Sequence, residues 1–161
     1  MDADERFRKA VAFLEDAYRK QMAGELEQAI HLYQESILLH ATAQAHTFLG
    51  WTYSFQGRYD DAIAECRKAI EVDPDFGNPY NDIGSYLITL GELDEAIPWL
   101  EKALDAPNYE PRHYPHCNLG RVYWAKGMLQ KAVAEFEQAL AIEPSYGWAR
   151  KALDALRLQL N

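Results

Sequence analysis

Four glycines, Gly24, Gly57, Gly91 and Gly127, follow one another at intervals of 33, 34 and 36 residues. Four alanines, Ala29, Ala62, Ala96 and Ala132, keep the same intervals. A spacing that regular means one supersecondary unit used repeatedly, each copy burying its apolar face against the next. Within a unit the apolar residues recur at helical spacing: Ala62, Ile63, Cys66, Ala69 and Ile70 form one stripe. A glycine seven residues before each turn (Gly50, Gly84, Gly120) costs about 1 kcal/mol of helix propensity. That cost is tolerable where the two helices of a hairpin approach closely. The later glycine sits where the first helix ends and the chain reverses, as a left-handed residue just past a helix C-terminus does. Pro79 and Pro115 fall in the first turn of their helices, where a missing N–H costs little. Pro98 is read the same way, early enough that the amides there lack partners.

The second unit, 43–76, carries Leu49-Gly50-x-x-Tyr53, then Gly57, Ala62, Ala69 and Pro74. The third, 77–110, keeps Tyr80, Ile83-Gly84, Leu87, Gly91, Ala96, Leu100 and Ala103, and the fourth, 113–146, keeps Leu119-Gly120, Tyr123, Gly127, Ala132, Phe136, Ala139 and Pro144. This pattern resembles the tetratricopeptide repeat (TPR) over about nine-tenths of the chain. The resemblance implies an all-α, right-handed solenoid of four helix-turn-helix units in one domain, 1–161. The units would run about 8–42, 43–76, 77–110 and 113–146, with a capping helix over 147–160. The first unit is degenerate. With Gly24 and Ala29 fixed, Phe13 and Ala17 fit without gaps, whereas Val11, Leu14 and Tyr18 fit if two residues are inserted before Gly24. Both registers stay open. The last stretch continues the apolar stripe through Trp148, Ala149, Ala152, Leu153 and Leu156, with Arg150, Lys151, Asp154 and Arg157 outside, as a solenoid cap requires.

The junction Asp105–Pro115 is two residues longer than the repeat allows and contains three prolines. Its Tyr109, followed by Asn118-Leu119-Gly120, resembles the corresponding junction in TPR proteins of type IV pilus assembly. Those relatives are typically exported lipoproteins, whereas this sequence shows no early cysteine.

The net charge of −9 repels phosphate backbones and anionic surfaces, so no nucleic acid partner is expected. No apolar run approaches the roughly 20 residues of a membrane span, and the opening MDADERFRKA has no apolar core of a secretory signal. A cytoplasmic protein with free thiols at Cys66 and Cys117 is the expectation.

Motifs for phosphate, zinc or acyl chemistry are missing. On one helical face His113, His116 and Cys117 could meet at a metal. His116 and His46, however, fall at the fourth position of their units, which normally packs the hairpin, and packing is the reading adopted. Acidic groups such as Asp60-Asp61 and Glu92-x-Asp94-Glu95 recur at the starts of second helices, where carboxylates favour the helix dipole. A non-enzymatic chain without cofactor or metal is expected.

The resemblance also implies which side chains line the concave face. In the family, ligand contacts come from fixed positions of each first helix. In the second unit these are Gln44, Thr47, Phe48, Trp51, Ser54 and Phe55; in the third, Asn78, Asn81, Asp82, Ser85, Ile88 and Thr89. The fourth unit supplies Tyr114, Cys117, Asn118, Arg121, Trp124 and Ala125. Phe48, Trp51, Phe55, Tyr114 and Trp124 are large aromatics where the fold requires none, a mark of a recognition surface. Asn81 and Asn118 can each donate and accept toward a peptide backbone, and Arg121 can pair with one carboxylate. The family subset that grips Hsp70 and Hsp90 tails uses Lys, Arg and Asn in slots that here hold Thr47 and Trp51, then Asp82, then Tyr114 and Asn118. That basic clamp is missing, so an apolar or weakly basic protein segment is the expected ligand. The alternative is a homo-oligomeric, self-associating scaffold in which the long first helix, with Phe7, Val11, Leu14 and Tyr18, enters another copy's groove.

Overall fold

A computed structural model of the chain describes residues 1–161. Nine helices follow in order: α1 (Ala3–Met22), α2 (Leu26–Leu39), α3 (Ala43–Phe55), α4 (Tyr59–Val72), α5 (Asn78–Thr89), α6 (Leu93–Asp105), α7 (His113–Ala125), α8 (Leu129–Ile142) and α9 (Gly147–Leu160). They form four hairpins and a closing helix. Two first helices start on side-chain caps, the Asp2 carboxylate accepting from the Glu5 amide at 2.7 Å and the Thr42 hydroxyl from the Ala45 amide at 3.1 Å. Each hairpin turns on a glycine with φ between 73° and 82°. The residue after it reaches back across the helix end, as Arg58 N to Tyr53 O at 3.0 Å and Met128 N to Tyr123 O at 2.8 Å show.

Inside the hairpins the close approach expected of the second glycine set is present. A Cβ on Gly120 would lie 2.7 Å from the Phe136 ring, and one on Gly84 would collide with Leu100. Ala17, fully buried, stands seven residues before Gly24 as those glycines stand before theirs, and the Ser36 hydroxyl donates to the Ala10 carbonyl at 2.7 Å. The first unit therefore needs no inserted residues. Its disguise has a physical reason: Asp16 and Arg19 occupy the positions of buried Leu49 and Thr52, but no hairpin packs on that side of α1. Arg19 stays exposed and Asp16 half-exposed, and the two pair with each other.

Two expectations change. Pro98 is the sixth residue of α6, beyond the turn whose amides lack partners, so it forfeits the bond its N–H would have made to the Asp94 carbonyl. Trp148 does not join the α9 stripe in full, being 45% exposed, while Ala149, Ala152, Leu153 and Leu156 are buried.

The first helices α1, α3, α5 and α7 touch one another in succession as well as their own partners, whereas the second helices make no comparable contact with one another. The inner layer is thus the tighter one, and it forms the concave face. The long junction between α6 and α7 folds back toward this face. Gly77 N donates to Asn108 O at 2.9 Å and Asn108 N to Asp75 O at 3.1 Å, tying it to the turn before α5. Tyr109 is buried against Gly77, where no side chain would fit. Arg112 donates to the Leu104 and Ala106 carbonyls at 2.6 and 2.7 Å, closing the end of α6.

Candidate functional site

Along α3 the spacing i, i+3, i+7 places Phe48, Trp51 and Phe55 on one face. Their rings follow one another at 6.4 and 5.0 Å, and Tyr18 of α1 extends the row, 5.6 Å from Phe48. Phe48 and Trp51 are half-buried and Phe55 is 52% exposed. Where α1 meets α3, Leu14, Tyr18, Gln44 and Phe48 line a cleft of about 530 Å³. Thr47, one position away, is buried and its hydroxyl donates to the Ala43 carbonyl at 2.7 Å. A second cleft of about 460 Å³ runs between Thr47, Phe48 and Asn78 on one side and Asn108, Tyr109 and Glu110 of the junction on the other.

On α5 and α7 the polar side chains form a relay. Asn81, buried, accepts at Oδ1 from Asn118 Nδ2 at 2.9 Å, and Asn118 Oδ1 accepts from Arg121 Nη1 at 2.9 Å. Beside them Ser85 and Asp82 are half-buried. Asp82 makes no ion pair, and burial pushes its carboxyl up to about 7. Trp124 is half-buried with its ring edge-on to Phe136 at 6.3 Å. A third cleft, about 320 Å³, lies between α7 and α9 and is lined by Tyr114, Cys117, Asn118, Arg121, Tyr146 and Trp148.

Six of the residues nominated from the repeat positions thus fall into two groups. Phe48, Trp51 and Phe55 are contiguous, and Asn81, Asn118 and Arg121 are linked by hydrogen bonds. Trp51 and Trp124 line none of the three clefts. Five ring-bearing residues outside the nominated positions do line them: Tyr18, Phe76, Tyr109, Tyr146 and Trp148. Tyr18 was obscured by the open register of α1, Tyr109 by the junction's fold, and Tyr146 and Trp148 by the reading of α9 as a cap alone.

His46 and His116 pack inside their hairpins. His46 Nδ1 lies 2.7 Å from Glu65 Oε2, and His116 Nδ1 lies 2.7 Å from Glu135 Oε2. His113 stacks between Tyr114 and Tyr146 at 4.3 and 4.8 Å. Burial pushes the Cys117 thiol up to about 12, so it is neutral at neutral pH. No three His, Cys, Asp or Glu side chains gather where they could hold a metal ion.

A row of helical hairpins whose first helices line a concave face defines an α-solenoid, a fold that serves protein–protein interaction. The tetratricopeptide repeat models match residues 43–76 and 75–144, and the chain belongs to that family. The TPR repeat-containing protein YpiA of Bacillus subtilis is 25% identical over 147 residues, covering 90% of this chain and 34% of its own length. The chain therefore spans about a third of that relative. Among solved structures, Pseudomonas aeruginosa pilF superposes with a TM-score of 0.90 at 22% identity, covering 96% of this chain and 70% of pilF. PilW, described as a widely conserved type IV pilus biogenesis factor, superposes with a TM-score of 0.85 at 21% identity, covering 93% and 69%. At those identities the likeness is one of fold. No helix is long and apolar enough to cross a membrane.

Proposed function

We propose that this chain is a non-enzymatic interaction module that binds a segment of another protein along its concave face. The observation that supports the reading is the aromatic row Tyr18, Phe48, Trp51 and Phe55, which crosses from α1 to α3 and reaches solvent. Large rings bury much apolar area at little rotamer cost, which is why such rows anchor partners. The net charge of −9 favours an apolar or weakly basic stretch. Neither the net negative charge nor Asp82 suits the carboxylate-rich tails of the chaperones. Compartment and pathway follow the partner, with the cytoplasm as the expectation.

The test uses peptides selected on the immobilised protein and titrated by calorimetry. Micromolar affinity, about −8 kcal/mol, is expected, and Trp51→Ala with Trp124→Ala should weaken it at least about tenfold. Affinity within twofold of the parent chain would remove the groove as the binding face.

A second reading, a self-associating scaffold related to pilus-assembly TPR proteins, draws on the likeness of fold to pilF and PilW. It would use apolar side chains exposed at the two end helices, Phe7 on α1 and Trp148 and Leu158 on α9. Because α1 is docked on its own α2 through Ala10 and Ala17, such copies would stack end to end rather than exchange α1. Light scattering across concentrations separates the two readings: a monomer at every concentration removes self-association.

A further inference from the structure

Three of the chain's basic residues are half-buried: Lys20, Arg112 and Arg121. Lys20 pairs with Glu25 at 2.8 Å, and Arg112 is spent on two backbone carbonyls. Arg121 meets only the neutral side-chain oxygen of Asn118, at 2.9 Å through Nη1. Of its five N–H donors four remain free. The side chains around it supply no countercharge. Among the side chains lining the cleft, Cys117 is a neutral thiol and Tyr114, Tyr146 and Trp148 are neutral rings. Asp82, on α5, feels burial alone, with no cation lowering it. In a chain of net charge −9, a half-buried guanidinium facing a cleft of about 320 Å³ with no anion is a site shaped for one.

We propose that the cleft between α7 and α9 is a subsite for one acidic side chain of the bound segment. The carboxylate docks on Arg121, and an apolar or aromatic side chain two residues along packs on Tyr146 and Trp148. In an extended segment residues i and i+2 point the same way, about 7 Å apart. An Asp or Glu followed at that spacing by an apolar residue therefore offers both chemistries to one cleft. A run of acids would fill the Arg121 position and then meet the negative field of the rest of the chain. The inference rests on the groove-binding reading and adds to it a sequence preference at one end.

The test follows the backbone amide signals of the isotope-labelled full chain during titration to millimolar peptide. The probes are acetyl-Gly-Glu-Ser-Phe-Gly-amide, the same peptide with Gln for Glu, and the Gln peptide with a free C-terminal carboxylate. The Glu peptide should shift the signals of Asn118, Arg121, Tyr146 and Trp148 and bind at least about tenfold tighter than the Gln peptide. That preference should vanish in Arg121→Gln and return in part in Arg121→Lys, which keeps the charge but not the fork. Equal binding of Glu and Gln peptides to the parent chain overturns the proposal, whatever the variants do. So does a free C-terminus that binds as well as Glu, or a preference that survives Arg121→Gln. If the Glu peptide shifts only signals of α1 and α3, the cleft assignment falls while the groove reading stands.

Discussion

His46 Nδ1 lies 2.7 Å from Glu65 Oε2, and 19 residues separate the two in the chain. His116 and Glu135 repeat both the distance and the separation in the fourth hairpin. Tyr80 and Trp99 occupy the same pair of positions in the third, their ring centroids 6.1 Å apart. One cross-hairpin position thus carries a polar pair in two units and an aromatic pair in another. What the position demands is a side chain that bridges first helix to second, and the chemistry of the bridge is free to vary.

The two polar bridges differ in burial: the His46 and Glu65 side chains are 8% and 10% exposed, those of His116 and Glu135 18% and 23%. Burial pushes the Glu65 carboxyl up, but hydrogen bonds from His46 and Lys68 outweigh it and hold it below its ordinary value. Its contribution to stability is therefore present above the ordinary glutamate range and lost as the pH falls through the lowered value. Glu65→Ala leaves a buried imidazole without its partner and should cost about 1–3 kcal/mol at pH 7. Glu135→Ala, where water can reach the histidine, should cost about 1 kcal/mol or less. Denaturant melts of both variants check the order, and the cost of Glu65→Ala should shrink in acid.

The same pair shows where reading along the chain stops. The periods of glycine and alanine carry the hairpins, their turns and the helix count, because those positions answer to backbone conformation and close approach, which few residues satisfy. Glu65 and Glu135 sit among alternating acids and alanines that look solvated, and only the folded hairpin brings a histidine to each. Trp124 and Trp148 show the same limit in the site. A position count nominates Trp124, whose ring leans on Phe136, and treats Trp148 as cap, although it lines the cleft beside Arg121. The length of the junction before α7 is visible in the sequence. That Tyr109 lands on Gly77 is not, since it depends on two turns from different units meeting.

Asp82 offers a test of the groove's interior. Burial alone raises its carboxyl from an ordinary 3.8 to about 7. Between those values the folded chain holds a proton that the unfolded chain has released, so this group's share of stability falls as pH rises through the window and is level above it. Asp82→Asn removes the ionisation and should stabilise the chain by roughly 2–4 kcal/mol at pH 8 but by less than about 1 kcal/mol near pH 4. Denaturant unfolding at the two pH values measures the difference. An equal gain at both would mean that Asp82 ionises as an ordinary aspartate.

If the aromatic row on α3 is there for a partner, removing its outer member should not trouble the fold. Phe55 is 52% exposed, and Leu100, packed under Gly84, is fully buried. Phe55→Ala should leave unfolding free energy within about 0.5 kcal/mol of the parent chain, whereas Leu100→Ala should cost about 2–5 kcal/mol. A large loss of stability from Phe55→Ala would make that ring part of the core and weaken the case for a docking face.

The contact between Gly77 and Tyr109 can be isolated because nothing else about Gly77 requires glycine. Its φ of −79° is open to any residue, so an alanine there meets no backbone strain. What it meets is Tyr109, whose Cγ would lie 2.6 Å from the new Cβ, and Ala106, whose Cβ would lie 3.1 Å away. Gly77→Ala must therefore push the junction off the turn before α5 and disturb the pairing of Gly77 N with Asn108 O. We expect a cost of about 1–3 kcal/mol, with faster limited proteolysis near Asn108 than in the parent chain. In a Tyr109→Gly background the larger obstacle is gone and only the Ala106 Cβ remains close, so the same substitution should cost markedly less, a coupling that a double-mutant cycle reads directly. Costs that simply add would place the junction's anchorage elsewhere, in the Arg112 bonds to the end of α6, and would leave the middle cleft of the concave face without its Tyr109 wall as a fixed feature.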